Sequence, residues 1–368
     1  MSNYKENKAP RFSILIPTYN QGATIGQAVV SALSMDFDDF EVIVVDDAST
    51  EVGNGDAPAA QSVIGSIRDS RLTYVRNETN LGRTANYRNA LSHAHGEWVM
   101  VCDGDDYYVD RDFLKKAASV ISRQPNLVLV GMGDALAYAD YLVPRPLAGE
   151  ERLLDGKQVF LEWGHLAIPH LGAIYRRSLA LDLDFYRCDI LSSDWESLLR
   201  LVLQGDVALL PGICGHWRQH DHNASRSADW EDFQANLQSV ELPVAEARRL
   251  KVFEETELQA WERDQVEEKI LGYLTSLLLA GAEGSVSPAE LKRRRKAAFA
   301  LKKQWGIGVM GPSNYRLRWW VHEYLGTSAF VALYRAKHFC RRFVGKTSAA
   351  VSAVLRGRKP YRRDSCAE

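Results

Sequence analysis

The sequence predicts an α/β fold with a mainly parallel sheet that is covered by helices on both faces. Strand-like and helix-like segments alternate through the first half of the 368-residue chain, and this alternation is typical of parallel sheets. The strand-like segments are continuous apolar runs, as strands buried on both faces require. With 46% hydrophobic and 25% charged residues, the chain has enough apolar material to bury a sizeable core.

Four strand–helix pairs account for the first 124 residues. The predicted strands are RFSILIPTYN, FEVIVVDDAST, RLTYVRN and GEWVMVCDGDD, in that order. The helices that follow them are residues 23–34, AAQSVIGSIRD, RTANYRNALSHA and RDFLKKAASVISRQ. Between 127 and 225 the pattern is mixed: HLGAIYRRS predicts a strand, SSDWESLLRLVLQGD a helix, and VALLPGICGHWRQHDHNAS two short strands. From about Trp230 onward only helical patterns remain.

The charge is unevenly distributed along the chain. Residues 290–368 contain 19 Lys and Arg against 4 Asp and Glu, which leaves 26 basic and 43 acidic residues in 1–289. Such an asymmetry suggests two regions with different roles. We therefore predict a catalytic domain over 1–225 and a helical, strongly basic region over 226–368.

Several features indicate a cytoplasmic setting. The five cysteines are scattered without a CxxC pair, which argues against structural zinc and for a reducing compartment. The N-terminal stretch MSNYKENKAPRF lacks the apolar core of a signal peptide, and no apolar run reaches the length of a membrane span. The expectation is a soluble protein, or one bound peripherally to a surface.

Each of the four predicted strands ends in polar residues, and three carboxylates crowd the fourth tip: Asp103, Asp105 and Asp106. In open α/β sheets, ligands bind at the carboxyl ends of the strands. Two carboxylates about 4 Å apart repel by roughly 4 kcal/mol at an effective dielectric near 20, so a divalent cation or a cationic substrate is expected there. The alternative is that these residues only form a turn and cap a helix.

No dinucleotide-binding GxGxxG and no GxxxxGK[ST] phosphate loop occurs in the chain. A nucleotide would therefore be held through a metal ion on its phosphates, and Mg²⁺ and Mn²⁺ prefer carboxylate oxygen. Three histidines, His216, His220 and His222, cluster further along. Asp194 and Glu196 begin a predicted helix, where favourable interaction with the helix dipole is the simpler explanation.

Six segments taken together resemble the family 2 glycosyltransferases of bacterial glycan biosynthesis, which have the GT-A fold. They are FSILIPTYNQGATI, VIVVDDAST, NETNLGRTANYRNAL, GEWVMVCDGDD, SSDWESLLRLVLQG and WRQHDHNAS, in the expected order. The resemblance covers about residues 11–225. It implies an enzyme that moves a sugar from a nucleotide sugar, with a uridine nucleotide preferred on family frequency, to a glycan or lipid-linked acceptor.

The resemblance also implies which residues bind the donor. Thr18, Tyr19 and Asp47 match positions that contact the nucleoside. Arg88 and Asn89 match the pair that flanks the base and ribose.

Further positions match the metal site and the base of such enzymes. Asp103, Asp105 and Asp106 match the DxD region, with Asp105 as the direct ligand of Mn²⁺ or Mg²⁺. The predicted metal set is Asp105, Asp106 and His220, and Asp103 and Asp105 also belong to the donor site. Asp194 matches the general base, and a single base with direct displacement implies inversion at the anomeric carbon.

The sequence departs from the family pattern before the base. Ser193 stands where an acidic residue is usual, and LDLDFYRCDILSS replaces a glycine-rich segment. These departures leave Glu196 as an alternative base. His165 and His170 precede this region and are candidates either for the acceptor side or for a structural role.

The basic C-terminal region has several possible roles. Its interleaved Trp and Tyr favour an anionic membrane surface, at the inner face of the membrane. A solvated helical face, a partner enzyme or self-association are the alternatives, and nucleic acid is disfavoured. For the whole protein, the rival functions are a sugar nucleotidyltransferase, although PTYNQGAT lacks a basic residue, and a non-catalytic nucleotide-sugar-binding scaffold.

Overall fold

The computed structural model describes residues 9–50, 59–220, 223–224 and 229–307, together with 321, 322, 329 and 332. Within these residues the strands are β1 Phe12–Thr18, β2 Phe40–Asp46, β3 Leu72–Arg76, β4 Trp98–Val101, β5 Tyr107–Tyr108, β6 Leu127–Ala137, β7 Leu142–Arg145, β8 Arg152–Leu154, β9 Ala173–Arg176 and β10 Asp206–Arg218. The helices are α1 Ile25–Leu33, α2 Ala60–Gly65, α3 Arg83–His93, α4 Phe113–Arg123, α5 Gly156–Leu161, α6 Trp163–Leu166, α7 Arg177–Asp182, α8 Ser193–Val202, α9 Trp230–Ala235, α10 Gln238–Leu250, α11 Glu255–Ala282 and α12 Pro288–Gln304.

These strands form one mixed sheet, which confirms the predicted α/β class. The order is β3-β2-β1-β4-β9-β6-β10-β5, with β7 added to β6 and β8 to β10. The first four strands of the sequence are mutually parallel, whereas β9 lies antiparallel between β4 and β6. Because β1, β2 and β4 run parallel as neighbours, their polar ends meet at one edge of the sheet.

The segment predicted as two short strands is a single long strand, so that prediction is wrong. β10 runs for 13 residues and pairs in parallel with β6, but its register shifts between Leu210 and Ile213 and again between Ile213 and His216. Gly212, with φ of 97°, lies within the first of these irregularities. Such a bulge bends a strand without ending it, and this bend explains why the pattern resembled a break.

The sheet has a hydrophobic core on each face. All seven residues of β1 are buried, and because successive side chains point to opposite faces, Leu15 joins one core while Ile14 and Ile16 join the other. Helices α1 and α4 cover the second face. Helices α3, α5 and α8 cover the first. This double coverage is what the continuous apolar runs predicted.

The C-terminal helices pack against the sheet domain and extend its first core. Phe160 and Trp261 pack with ring centroids 4.3 Å apart, and the Trp261 indole N–H donates to the carbonyl of Leu161 at 3.1 Å. Phe233 and Val244 belong to the same buried cluster. This core contains residues from both sides of the proposed division at residues 225 and 226. The division itself stays a prediction.

Most of the basic segment lies outside the described residues, so the predicted membrane or partner role stays a prediction. Helix α12 carries its beginning, with a basic run at 292–296 in which Lys292 and Arg293 are exposed. Glu290 pairs there with Arg293 and Arg294. Within the part of the chain that the structure describes, no helix is both long and apolar enough to cross a membrane.

Candidate functional site

A cleft of about 440 Å³ lies at the carboxyl edge of β1, β2 and β4. Among the residues predicted to bind the donor, it is lined by Thr18, Tyr19, Asp47, Asp103 and Asp105. Tyr19 stands at the rim with 45% of its surface exposed. The structure thus brings five of the seven predicted donor-binding residues together, as the convergence of parallel strand tips requires.

Asp47 is buried and organises the loop before α3. Its carboxylate accepts hydrogen bonds from the backbone N–H groups of Leu81 and Gly82, at 2.8 and 2.9 Å, and from the amide of Asn77 at 2.8 Å. The adjacent Asp46 is fully buried and accepts from the Tyr74 hydroxyl and the Arg76 guanidinium. Of the two neighbouring carboxylates, only Asp47 borders the cleft.

Gly104 allows the acidic tip of β4 to approach the tip of β1. A Cβ at this position would lie 2.5 Å from the Gln21 side-chain oxygen and 2.7 Å from the Thr18 hydroxyl, closer than nonbonded atoms can pack. The Gly104 N–H donates to the Pro17 carbonyl, and its own carbonyl accepts from the Thr24 hydroxyl at 2.9 Å. A larger residue between the two aspartates would force Gln21 and Thr18 to shift, so the glycine favours this close approach.

The three carboxylates of this tip have different environments. Asp103 accepts a hydrogen bond from the Tyr87 hydroxyl at 2.7 Å. Burial raises the pKa of Asp103, and the charge of Asp105 adds to this effect, whereas His170 opposes it. Burial likewise raises the pKa of Asp106 well above its usual range, with Asp105 and Asp103 adding to it. The crowded negative charge thus acts on the two buried members of the group.

Asp105 faces His220, whose Nε2 lies 2.8 Å from Oδ2 of the carboxylate. The loop carrying His220 is fixed by Asn223, which accepts from the His220 N–H at 2.6 Å and donates to the Arg218 carbonyl at 3.0 Å. Arg218 in turn donates to the carbonyl of Asp105 at 2.5 Å. Two potential metal ligands from distant parts of the sequence therefore lie side by side.

The predicted three-ligand metal set is not formed, because Asp106 is directed elsewhere. Asp106 is 4% exposed and accepts a hydrogen bond from the backbone N–H of Arg218 at 2.9 Å. Among the described residues, no three His, Cys, Asp or Glu side chains are placed to hold a metal ion by themselves. Asp105 and His220 fit Mg²⁺ or Mn²⁺ as a two-ligand site, because such ions are commonly bound by one or two side chains and completed by substrate phosphates.

Arg88 and Asn89 do not reach the cleft. The Arg88 guanidinium pairs with Asp184 at 2.7 Å on the exposed side of α3, and the Asn89 amide donates to Asn77 at 2.7 Å. The residues of this helix that line the cleft are Arg83, Asn86 and Tyr87.

The spacing of these three residues explains the difference. Positions three and four apart share one face of a helix, so 83, 86 and 87 point together toward the strand tips. Residues 88 and 89 follow them at about 100° per residue around the axis and turn away. The motif resemblance missed this set, but counting the helical period from Arg83, the first residue of α3, would have found it.

A second cleft of about 310 Å³ lies beside the first, and Asp194 of α8 lines it. Trp195, His170 and Arg145 are also part of its wall. Arg145 forms a two-point ion pair with the buried Asp134, at 2.8 and 2.5 Å, and its guanidinium lies 5.2 Å from the centroid of the Trp217 ring.

Glu196, the alternative base, is fully buried and committed to structural ion pairs. Its carboxylate accepts from Arg200 at 2.7 and 2.8 Å and from Arg187 at 3.0 Å. Asp194, on the preceding part of the same turn, is only partly buried and opens to the cleft. Ser193, directly before Asp194, is fully buried, so the position where an acidic residue was expected is here turned into the protein.

The unusual segment before α8 reaches the second cleft at its end, where Leu191 and Ser192 line the cleft. Asp184 and Tyr186 have positive φ values, 51° and 59°, a conformation that is rare outside glycine. It is held by the Ser197 hydroxyl, which accepts from the Tyr186 N–H at 2.9 Å. The Tyr186 hydroxyl bonds His170 at 2.8 Å and Tyr175 at 3.0 Å. His170 thus belongs to the cleft, whereas His165 is exposed and lines neither cleft.

The two clefts share one wall. Tyr87, Asp103 and Trp217 border both of them. Asp105 with His220 therefore lies on one side of this wall, and Asp194 lies on the other. A molecule in the first cleft and a molecule in the second would meet at this junction.

Part of the chain is similar to known glycosyltransferases. The family model described as Glycosyl transferase family 2 matches residues 13–183. An uncharacterized protein of Mycobacterium tuberculosis, Rv1520, is 28% identical over 231 residues, which are 59% of this chain and 61% of that protein. The poly(ribitol-phosphate) beta-N-acetylglucosaminyltransferase TarS of Staphylococcus aureus is 28% identical over 252 residues, 64% of this chain and 41% of TarS. The chain thus spans about three-fifths of the mycobacterial relative and two-fifths of TarS.

The fold has a counterpart among solved structures. The crystal structure of S. aureus TarS 1-349 in complex with UDP-GlcNAc aligns with a TM-score of 0.58 at 19% identity, over 96% of this chain and 94% of that one. Together with the motif order and the strand-tip cleft, these likenesses identify the fold as GT-A. Residues 13–183 of the chain are thus similar to glycosyl transferase family 2.

Proposed function

We propose that this protein is an inverting glycosyltransferase that moves a sugar from a nucleotide sugar to a hydroxyl group of a glycan or lipid-linked acceptor. The donor occupies the first cleft and the acceptor occupies the second. The observation that carries this proposal is the shared wall of Tyr87, Asp103 and Trp217, because a transfer reaction needs two substrates that meet at one point.

The donor cleft is suited to a nucleoside diphosphate. Tyr19 offers an exposed ring at the rim, on which a base can stack. Asp47 and Thr18 supply hydrogen-bond acceptors in the same cleft, and Arg83 supplies a positive charge there. A uridine nucleotide is the first to test, since TarS, which shares the fold, was solved with UDP-GlcNAc.

Asp105 and His220 are the residues that would hold Mn²⁺ or Mg²⁺ at this cleft. When bound, such an ion would neutralise charge on the diphosphate as a Lewis acid. The 2.8 Å approach of the two side chains supports a pair of ligands with the remaining positions left to phosphate oxygens and water.

Asp194 is the proposed general base. An acceptor hydroxyl in the second cleft attacks the anomeric carbon of the donor while the bond from that carbon to the diphosphate oxygen breaks. The hydroxyl proton passes to the Asp194 carboxylate, and the nucleoside diphosphate leaves. A single displacement of this kind inverts the anomeric configuration. The choice of Asp194 is supported by its position on the cleft, in contrast to the buried and paired Glu196.

A donor screen by thermal shift tests the first half of this proposal. UDP, GDP, CDP and dTDP are each added with and without Mn²⁺. The expected result is stabilisation that requires both one nucleotide, UDP first, and the metal. The matched variant Asp105→Asn keeps the size of the side chain but should lose the metal-dependent part of the shift.

The rival functions predict different results. A scaffold that only binds nucleotide sugar would show the thermal shift without transferring sugar, and an Asp194→Asn variant would behave like the wild type. A sugar nucleotidyltransferase would release diphosphate from a nucleoside triphosphate. If no nucleotide stabilises the protein with or without metal, the proposed donor site is wrong.

A further inference from the structure

The C-terminal helices contact the start of α8, the helix that carries Asp194. Asn236, between α9 and α10, accepts a hydrogen bond from the Ser192 backbone N–H at 2.7 Å, and its own amide donates to the Ser192 hydroxyl at 3.2 Å. Ser192 precedes α8 directly. Its N–H would otherwise need another partner at the helix end. The first turn of α8 is therefore held in place from the helical region.

Lys269 of α11 provides a second contact to the same turn. Its ammonium nitrogen lies 5.5 Å from the centroid of the Trp195 ring, within the range of a cation–π interaction. Trp195 follows Asp194 in sequence, and both line the second cleft. The lysine thus contacts one of the residues that line the second cleft, where the acceptor is proposed to lie.

The position of Lys269 is fixed by the packing of its helix. Trp261, about two turns earlier on α11, packs on Phe160 and donates its indole N–H to Leu161. Ile270 and Val266 on either side of the lysine are fully buried. Burial in this position lowers the pKa of Lys269 to about 8, while the negative charge of Asp194 opposes that shift.

Asp194 is influenced by charged and titratable groups from several elements. The Arg83 guanidinium of α3 interacts with it electrostatically. The negative charge of Asp194 also adds to burial in raising the pKa of the Tyr87 hydroxyl of α3 and of the Tyr186 hydroxyl in the loop before α8. From α11, Lys269 interacts with the carboxylate as well. Arg83 also donates to the two backbone carbonyls at 190 and 191, at 2.8 and 3.1 Å. The carboxylate therefore lies in the field of two cations, one belonging to the sheet domain and one to the helical region.

We propose that Lys269 is a positioning residue of the acceptor site, which holds the Trp195 ring against the second cleft and places a positive charge beside Asp194. This proposal rests on the proposed function of Asp194 as the base. It gives the helical region a part in the reaction itself, in addition to any membrane or partner contact of the basic residues beyond it. A lysine that is partly removed from water is unfavourable for folding, so a functional reason for its presence is expected.

The charge relation between the two residues can be measured without any substrate. Lysines of the full-length protein are reductively methylated with ¹³C-formaldehyde and titrated by NMR, and the Lys269 signal is assigned with Lys269→Arg. One signal should titrate near pH 8, well below the ordinary lysine value of about 10.4. In Asp194→Asn that signal should move to lower pH, because the carboxylate that favours the charged amine is gone.

Kinetics test the consequence for the acceptor. Transfer from the nucleotide sugar selected in the donor screen is measured with a panel of p-nitrophenyl glycosides. For the best acceptor, Lys269→Met should lower kcat/KM by about tenfold or more, which corresponds to about 1.4 kcal/mol, with UDP binding unchanged. Lys269→Arg should restore most of the activity, because it retains the charge over the ring. Lys292→Met, which removes an exposed lysine of α12, is the control.

The outcomes separate this proposal from the proposed function. If all lysines titrate together near the ordinary value of about 10.4, or if Asp194→Asn leaves the signal of Lys269 unchanged, Lys269 is not coupled to the base and the proposal is overturned. If Lys269→Met transfers sugar as the wild type does, it is overturned as well. If the wild type transfers no sugar to any acceptor, the proposed function fails, and the titration alone then decides whether the two charges are paired.

Discussion

The two clefts of this protein are built in different ways. The first cleft is made from the tips of β1, β2 and β4 and from the start of α3, which are neighbours in a regular sheet. The second is made from β6, β7, the segment around His170 and the first turn of α8, which lie far apart in the sequence. In a regular parallel sheet, the carboxyl ends of the strands lie together at one edge, where ligands bind. The second cleft instead depends on how segments that are distant in sequence pack against each other.

The carboxylates show the same difference. In the first cleft, Asp47 is fixed by the backbone N–H groups of the loop before α3. On α8, two neighbouring carboxylates have opposite environments: Asp194 borders a cleft, and Glu196 is buried between Arg187 and Arg200. For Asp47, the strand-tip motif predicts the role of the residue from the nearby sequence. For the two carboxylates of α8, the role depends on the side chains that surround each of them.

The largest effect is expected from removing the proposed base. Asp194→Asn should lower kcat by about 10²–10⁴-fold, the usual contribution of a general base, because an amide cannot accept the hydroxyl proton. Donor affinity should stay the same, because Asp194 lines only the second cleft. Initial rates of transfer and UDP titration calorimetry measure the two quantities. A variant that loses both together would show that the clefts are not independent.

The neighbouring carboxylate should affect stability instead. Glu196→Gln leaves Arg200, itself 2% exposed, without its charged partner, and breaking a buried pair costs about 3–5 kcal/mol of unfolding free energy. Urea unfolding followed by circular dichroism measures the loss. Glu97→Gln is the control, because the Glu97–Arg176 pair at 3.4 Å is exposed on the glutamate side, and an exposed pair contributes about 0–1 kcal/mol. Equal losses in both variants would contradict the structural role of Glu196.

A smaller effect is expected at the rim of the donor cleft. Tyr19→Ala should weaken UDP binding by about 1–3 kcal/mol, which is the usual contribution of one base stacked on an aromatic ring. The dissociation constant would rise by roughly 5- to 150-fold. Tyr19→Phe keeps the ring and should bind UDP nearly as well as the wild type. If the phenylalanine variant is as weak as the alanine variant, the hydroxyl rather than the ring makes the contact.

The smallest effect concerns pH and the helix behind the second cleft. Because burial lowers the pKa of Lys269 to about 8 in the folded protein, the unfolded chain binds more protons there between about pH 8 and the ordinary value near 10.4. The stability of the wild type relative to Lys269→Met should therefore rise across this interval and should be lowest below about pH 8.

Thermal unfolding below this interval and near its upper end, at about pH 7 and about pH 10, measures the difference. Lys269→Met should unfold at a higher temperature than the wild type at the lower pH, and the advantage should shrink at the higher pH. Lys292→Met, at an exposed position, should follow the wild type at both values. A Lys269→Met variant that is equally destabilised at both pH values would contradict a buried charged lysine.

Much of the donor side could be predicted from the sequence. The continuous apolar runs and the polar residues that follow them predicted the sheet class and the edge at which Thr18, Asp47, Asp103 and Asp105 meet. Both features can be recognised in the local sequence. A parallel strand that is buried on both faces must be apolar, and the loop that follows it begins at the sheet edge where ligands bind. The carboxylates that follow the fourth strand therefore indicated a ligand site from the sequence alone.

The tertiary structure decided the rest. The position of each residue around the axis of α3 determines which side chains face the cleft. Arg83, Asn86 and Tyr87 do so. Arg88 and Asn89, which the resemblance had indicated, do not. The backbone N–H of Arg218, which is distant in sequence, holds Asp106 away from His220, and the guanidinium groups of Arg187 and Arg200 hold Glu196 away from the second cleft.

Each of these outcomes depends on tertiary packing, because a side chain takes its direction from the partner that satisfies its charge or hydrogen bonds. Asp106 and Glu196 carry the same carboxyl group as Asp105 and Asp194, and only their partners distinguish them. The sequence alone determined which strand ends would meet, and packing between distant segments determined which side chains face the space between them.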